Sequence, residues 1–129
     1  MARSPQEDAN LALVLEMYRN VLIAMDSSAV DRYISPDYVQ HSSLAEPGVP
    51  ALKAFLDHVR AASPDARQTI HRALVDGDMV AVHVHVERFP GDPGLAVVDI
   101  FRVADGMIAE HWDVLQDVPA KPVNPLPMF

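Results

Sequence analysis

The 129-residue sequence contains no cysteine. That absence excludes disulfides, thiolate-bound zinc and cysteine nucleophiles together. Chemistry in this chain falls to histidine, carboxylates, tyrosine or water. Positive charge is scarce as well: 10 Lys and Arg, scattered singly, face 18 Asp and Glu, for a formal charge of −8. Nucleic-acid surfaces need clustered positive charge to displace counterions, so no nucleic-acid partner is expected, and no anionic membrane either. Although half the residues are hydrophobic, no apolar run reaches the roughly 18 to 20 residues of a membrane helix. The opening "MARSPQEDANLALVLEMY" turns acidic at once and lacks the apolar stretch and cleavage site of a signal peptide. A soluble, cytoplasmic protein is the expectation. There is also no Gly-rich phosphate loop, no serine in a G-x-S-x-G elbow and no H-E-x-x-H.

The length suits one hydrophobic core, and a single domain over 1–129 is expected, with a Pro-rich tail over 118–129. From Pro5 to Met25, Leu11, Val14, Leu15, Tyr18, Leu22 and Met25 recur at three- and four-residue spacing, which predicts an amphipathic helix. "SSAVDRYI" predicts a shorter helix, capped by Ser27 or Ser28 and stopped by Pro36. "YVQHSS" reads as extended. "VPALKAFLDHVRAAS" predicts a second long helix between Pro50 and Pro64. Met17, Met25, Phe55 and Leu56 lie at helical spacing and read as core.

Beyond Ser63 the period becomes alternating. "RQTIHRALVDGDMVAVHVHVERF" reads as two strands about a turn at Asp76-Gly77, "GLAVVDIFRV" as a third and "MIAEHWDVLQ" as a fourth. Helices followed by a meander predict an α+β class, the helices packed on one face of a curved sheet with a cone-shaped cavity at its open end.

Two registers are possible for the last hairpin. A two-residue Asp105-Gly106 turn places Asp99 opposite Trp112. A three-residue Ala104-Asp105-Gly106 turn, with Gly106 left-handed in a bulge, places Asp99 opposite His111 and Val97 opposite Asp113. The second is preferred because it makes each face consistent: Val97, Asp99, Phe101, His111 and Asp113 share one side. The other side carries Trp112, with Arg102 and Glu110 close enough for a diagonal ion pair. In "VHVHVE", His83 and His85 share a face, and the "PGDPG" loop is expected to bring His85 near Asp99. Three strands would then aim His and Asp side chains into one volume.

A carboxylate beside an imidazole among apolar side chains can exchange protons near neutral pH, so Asp99 and His111 are the candidate acid/base pair. The plainer reading is a structural hydrogen bond across a hairpin. His83-x-His85 with His41 or His111 could supply three imidazoles to a metal, but strand alternation makes that spacing common, and no metal site is expected. The terminal Met128-Phe129 suggests docking over an apolar surface.

The stretch "VVDIFRVADGMIAEHWDVLQ" resembles the SnoaL-like group of the nuclear transport factor 2-like superfamily, and "YVQHSS", "VHVHV" and "NPLPMF" are similar to its branch of predicted SnoaL-like aldol-condensation enzymes, in matching order over nearly the whole chain. The resemblance implies the α+β cone fold, frequently dimeric through the outer sheet face, and a cofactor-independent acid/base site in the cone. In polyketide cyclases of the group, an Asp of the last strands serves as acid/base for aldol ring closure; it maps onto Asp113 or Asp99. In related ketosteroid isomerases, the Asp of a similar strand donates a hydrogen bond to the developing oxyanion, which falls on Asp99. His111 stands where those isomerases have an apolar residue.

The expected site is therefore Asp99 or Asp113, tuned by His111, removing a proton α to a carbonyl, with His41, His85 or a protonated Asp stabilising the enolate. Tyr38, Gln40, His83, His85 and Phe101 would bind a small hydrophobic ligand. The alternatives are a noncatalytic ligand-binding or dimerisation module, and an epoxide-opening enzyme resting on Tyr38, Gln40 and Asp99.

Overall fold

The structure is a computed structural model that describes residues 2–129. Helix α1 (Pro5–Met17) starts at a capping box, Ser4 and Glu7 each accepting from the other's backbone N–H, with Pro5 in its first turn. It does not run regularly to Met25. A π-helical segment, Tyr18–Ile23, follows, and the chain leaves it through Met25 at φ 50°. The wider π turn keeps Met17, Tyr18 and Val21 all buried. The expected stripe shifts accordingly: Leu11, Leu15 and Leu22 are only partly buried.

A short 3₁₀ turn (Ser27–Ala29) leads into α2 (Val30–Tyr33). Its cap is Asp26, whose carboxylate accepts from Ser28 N–H, rather than either serine. Strand β1 (Ile34–Gln40) then begins before Pro36. That proline lies inside an edge strand, where a missing N–H is tolerated. Helix α3 (Val49–Ala62) is followed by β2 (Arg67–Asp76), β3 (Met79–Glu87), β4 (Leu95–Ala104) and β5 (Met107–Asp117).

Among the described residues the sheet order is β1-β5-β4-β3-β2, with β1 parallel to β5 and every other pair antiparallel. The α+β architecture is thus helices on one face of a mixed sheet. The core lies between them, where Val80, Val82 and Val84 of β3 are fully buried with Val14, Met17 and Val21 of the first helical run. The β2–β3 turn centres on Gly77-Asp78, one residue beyond the expected position. Glu7 and Asn10 of α1 hold it, binding Gly77 N–H and C=O at 3.0 Å each.

The β4–β5 hairpin departs from both simple registers. Asp105 (φ 53°) and Gly106 (φ 72°) form a two-residue turn with both central residues left-handed, so the preferred three-residue turn does not form. One extra residue is then absorbed between the pairs Val103–Ile108 and Arg102–Glu110. The bulge sets Asp99 opposite Asp113 and Phe101 opposite His111. Because the net shift is one residue from the two-residue register, the inward set is still Val97, Asp99, Phe101, His111 and Asp113. Arg102 and Glu110 are directly opposite rather than diagonal, joined at 2.9 Å.

The β3–β4 loop is organised by buried Asp92, which accepts from the Arg88 guanidinium at 2.8 Å and from the N–H groups of Arg88 and Gly94. The Arg88 side-chain bond, followed by those backbone donors, holds the Asp92 carboxyl well below its ordinary value. A carboxylate depressed on folding stabilises the fold above its unfolded value and loses that contribution as pH falls. Asp92→Asn should lower the urea midpoint at pH 7, and the gap to wild type should narrow as pH falls below about 4. Gly94 (φ 85°) leaves no room for a side chain: a Cβ there would stand 2.2 Å from Val86 O. Gly94→Ala should cost about 2 kcal/mol or more by chemical denaturation.

Candidate active site

A cavity of about 500 Å³ opens between the first helical run, α3 and the inner sheet face. Its walls are mostly apolar, with Met17, Leu22, Leu56, Val97 and Ile108 among them. One polar chain crosses the floor. Asp99, 6 % exposed, accepts from Tyr18 OH at Oδ2 (2.8 Å) and meets His111 Nε2 at Oδ1 (2.8 Å). His111 Nδ1 meets Gln40 Oε1 at 2.7 Å. Asp113, across from Asp99, accepts from Ser42 Oγ at 2.8 Å through Oδ2, while its buried Oδ1 has no hydrogen-bond partner.

The network decides its own proton placement. Gln40 Oε1 also accepts from Ser42 N–H at 3.0 Å, and a backbone amide can only donate, so this atom is the oxygen. His111 Nδ1 must therefore donate to it. Its Nε2 then shares one proton with Asp99 Oδ1, as imidazolium and carboxylate or as neutral imidazole and carboxylic acid. Tyr18 stays a phenol: burial first, and then the Asp99 charge and hydrogen bond, push it well above its ordinary value. Burial also raises Tyr38, whose hydroxyl receives Gln40 Nε2 at 3.4 Å. Phe101 stacks on the His111 ring with centroids 4.8 Å apart.

Sequence comparison matches the SnoaL-like domain to residues 14–111. The chain belongs to the SnoaL-like domain family. No curated protein matches it in sequence. Among solved structures it is similar to a protein of Jannaschia sp. CCS1 described as a SnoaL-like polyketide cyclase, at 21 % identity and TM-score 0.75 over 95 % of this chain and 99 % of that one. A protein of Kribbella flavida described as a ketosteroid isomerase matches at 21 % identity and TM-score 0.72, over 92 % of this chain and 86 % of the other. AclR of Streptomyces galilaeus, described as a hydroxylase, matches at 25 % identity and TM-score 0.68, over 87 % and 81 %. The descriptions differ while the fold is shared, so activity has to be argued from the site.

On this SnoaL-like scaffold the cavity brings together Asp99, His111, Asp113, Tyr38, Gln40 and Phe101. Three expected residues lie elsewhere. His41 stacks flat on Trp112 (4.9 Å, 2°) and binds Glu110 at 2.7 Å on the outer side of β5. The His41 and Arg102 contacts, in that order, hold Glu110 below its ordinary value. His83 and His85 face outward because Val82, not a histidine, pairs with Asp99 and strand neighbours alternate. His83 accepts from Arg72, and His85 Nε2 donates to Pro93 O at 2.8 Å. With His71 they surround the Phe129 ring at centroid distances of 4.4–5.4 Å. The tail therefore docks on imidazoles rather than on an apolar patch. Arg102 pairs with Glu110 on the outer side, away from Asp99.

Two polar residues of the site were not singled out by sequence. Tyr18 falls in the predicted apolar helix stripe, and Ser42 lies in the extended "YVQHSS" stretch. The available signal was a phenol on a core-facing helix stripe, since a buried hydroxyl needs a partner. Tyr18→Phe leaves Asp99 Oδ2 without that donor and should cost about 1–3 kcal/mol in denaturant unfolding. An unchanged midpoint would show that the bond adds nothing to stability.

Proposed function

We propose that this chain is a cofactor-independent acid/base enzyme, a cyclase, isomerase or lyase, acting on a small hydrophobic carbonyl compound of polyketide-like character. The supporting observation is the 2.8 Å contact between Asp99 Oδ1 and His111 Nε2 on the wall of a mostly apolar cavity. In the ion-paired form, Asp99 takes a proton α to the substrate carbonyl while the Tyr18 and His111 donors keep its carboxylate oriented. Asp113, the second carboxylate of the site, faces Asp99 across the strands and is the alternative base. Tyr38, Gln40 and Phe101 shape the wall around the substrate. The apolar surroundings strengthen these interactions by excluding water.

The same reading makes the chain one domain of a cytoplasmic protein, paired as a homodimer through the outer sheet face. There Val98 and Val114 stand opposite each other and are solvent-exposed.

The test is deuterium exchange α to the carbonyl, followed by proton NMR across a panel of hydrophobic cyclic ketones and β-diketones. Wild type should accelerate exchange of at least one compound, and Asp99→Asn and Asp113→Asn should each lower that rate by about 10²-fold or more. Full rates in both variants would remove the assignment. Ligand binding without exchange would leave a binding module.

A further inference from the structure

His41, His83 and His85 lie on the outer face of the sheet and His111 on the inner one, so these imidazoles do not converge on one ion. A different trio converges. Asp99, His111 and Asp113 each offer a ligand atom, and the three atoms lie within 4.8 Å of one another. Metal–ligand bonds of about 2.0–2.2 Å put the ligand atoms of a tetrahedral site about 3.3–3.6 Å apart, so the widest pair of the trio closes by up to about 1.5 Å on binding.

Two further observations separate this trio from an ordinary acidic cluster. The first is a complete outer layer. His111 Nδ1–H is held by Gln40 Oε1, which leaves Nε2 as the inward-facing nitrogen; Tyr18 binds Asp99 Oδ2, and Ser42 binds Asp113 Oδ2. Each ligand thus has its second polar atom fixed, as metal ligands typically do. The second is Asp113 Oδ1, a buried lone-pair donor with no partner, which carries a desolvation cost that a cation would offset. One imidazole and two carboxylates without thiolate suit a divalent first-row ion such as Zn²⁺, Co²⁺ or Mn²⁺.

We propose that the Asp99–His111–Asp113 cluster binds one divalent transition-metal ion, and that the ion displaces the proton shared by Asp99 and His111, switching the acid/base site off. Binding itself is independent of the proposed activity; the switch rests on it. One ion enters, one proton leaves to solvent, and no electron moves. Affinity therefore rises with pH.

The protein stripped with chelator would be titrated calorimetrically with Zn²⁺ in two buffers of different ionisation heat, and with Co²⁺ by visible absorption. One ion per chain, about one proton released and Co²⁺ bands of a four- or five-coordinate site are expected. His111→Gln and Asp113→Asn should weaken binding by more than tenfold. Ser42→Ala, which removes only an outer partner, should weaken it about tenfold and serves if Asp113→Asn does not fold. A triple variant of His71, His83 and His85 to Gln should bind as wild type does.

Absence of stoichiometric binding overturns the site. So does binding lost in the triple variant but kept in Asp113→Asn, which would place the ion on the outer histidines. Exchange by the stripped protein that Zn²⁺ suppresses supports both site and switch. Binding with no exchange in the stripped protein keeps the site and removes the acid/base reading with its switch; exchange enhanced by Zn²⁺ removes the switch alone.

Discussion

A buried carboxylate has to be met by donors, and Asp99 is the carboxylate around which this fold is arranged. Its donors come from opposite ends of the chain, Tyr18 from the first helical run and His111 from the last strand. Both elements depart from regular geometry next to those contacts. The π segment begins at Tyr18, and the β4–β5 bulge lies between the turn and the Phe101–His111 pair. Irregularities of this kind re-aim side chains, and each here coincides with a polar group reaching Asp99.

The network extends outward from that carboxylate by strict donor accounting. Ser42 N–H identifies the Gln40 oxygen, the Gln40 oxygen sets the His111 tautomer, and the tautomer leaves one proton between His111 and Asp99. Asp113, facing Asp99 across the strands, is the only member with an atom lacking a partner. Proton transfer and cation binding both follow from this arrangement, since a proton and a metal ion compete for the same lone pairs.

The two faces of the sheet illustrate how far alternation reaches. On β3 it predicts that His83 and His85 share a side, and they do. Which side that is depends on pairing with β4, and Val82 rather than a histidine lies beside Asp99. For β5 the inward set was legible, although the turn behind it was not, because a two-residue turn plus one bulged residue has the same parity as a three-residue turn. His41 shows the limit of a motif read as a string: the residue just past β1 leaves the cavity and stacks on Trp112.

The sequence by itself determined the α+β class and the grouping of Asp99, Phe101, His111 and Asp113, because hydrophobic period and strand parity are local properties, and its motifs carried the resemblance to the SnoaL-like family. Tertiary structure decided that Tyr18 and Ser42 complete the site, and that His41, His83 and His85 stand outside it. Those outcomes depend on contacts between residues far apart in the chain, on a π turn and a bulge that periodicity does not encode, and on the need of each buried polar atom for a partner.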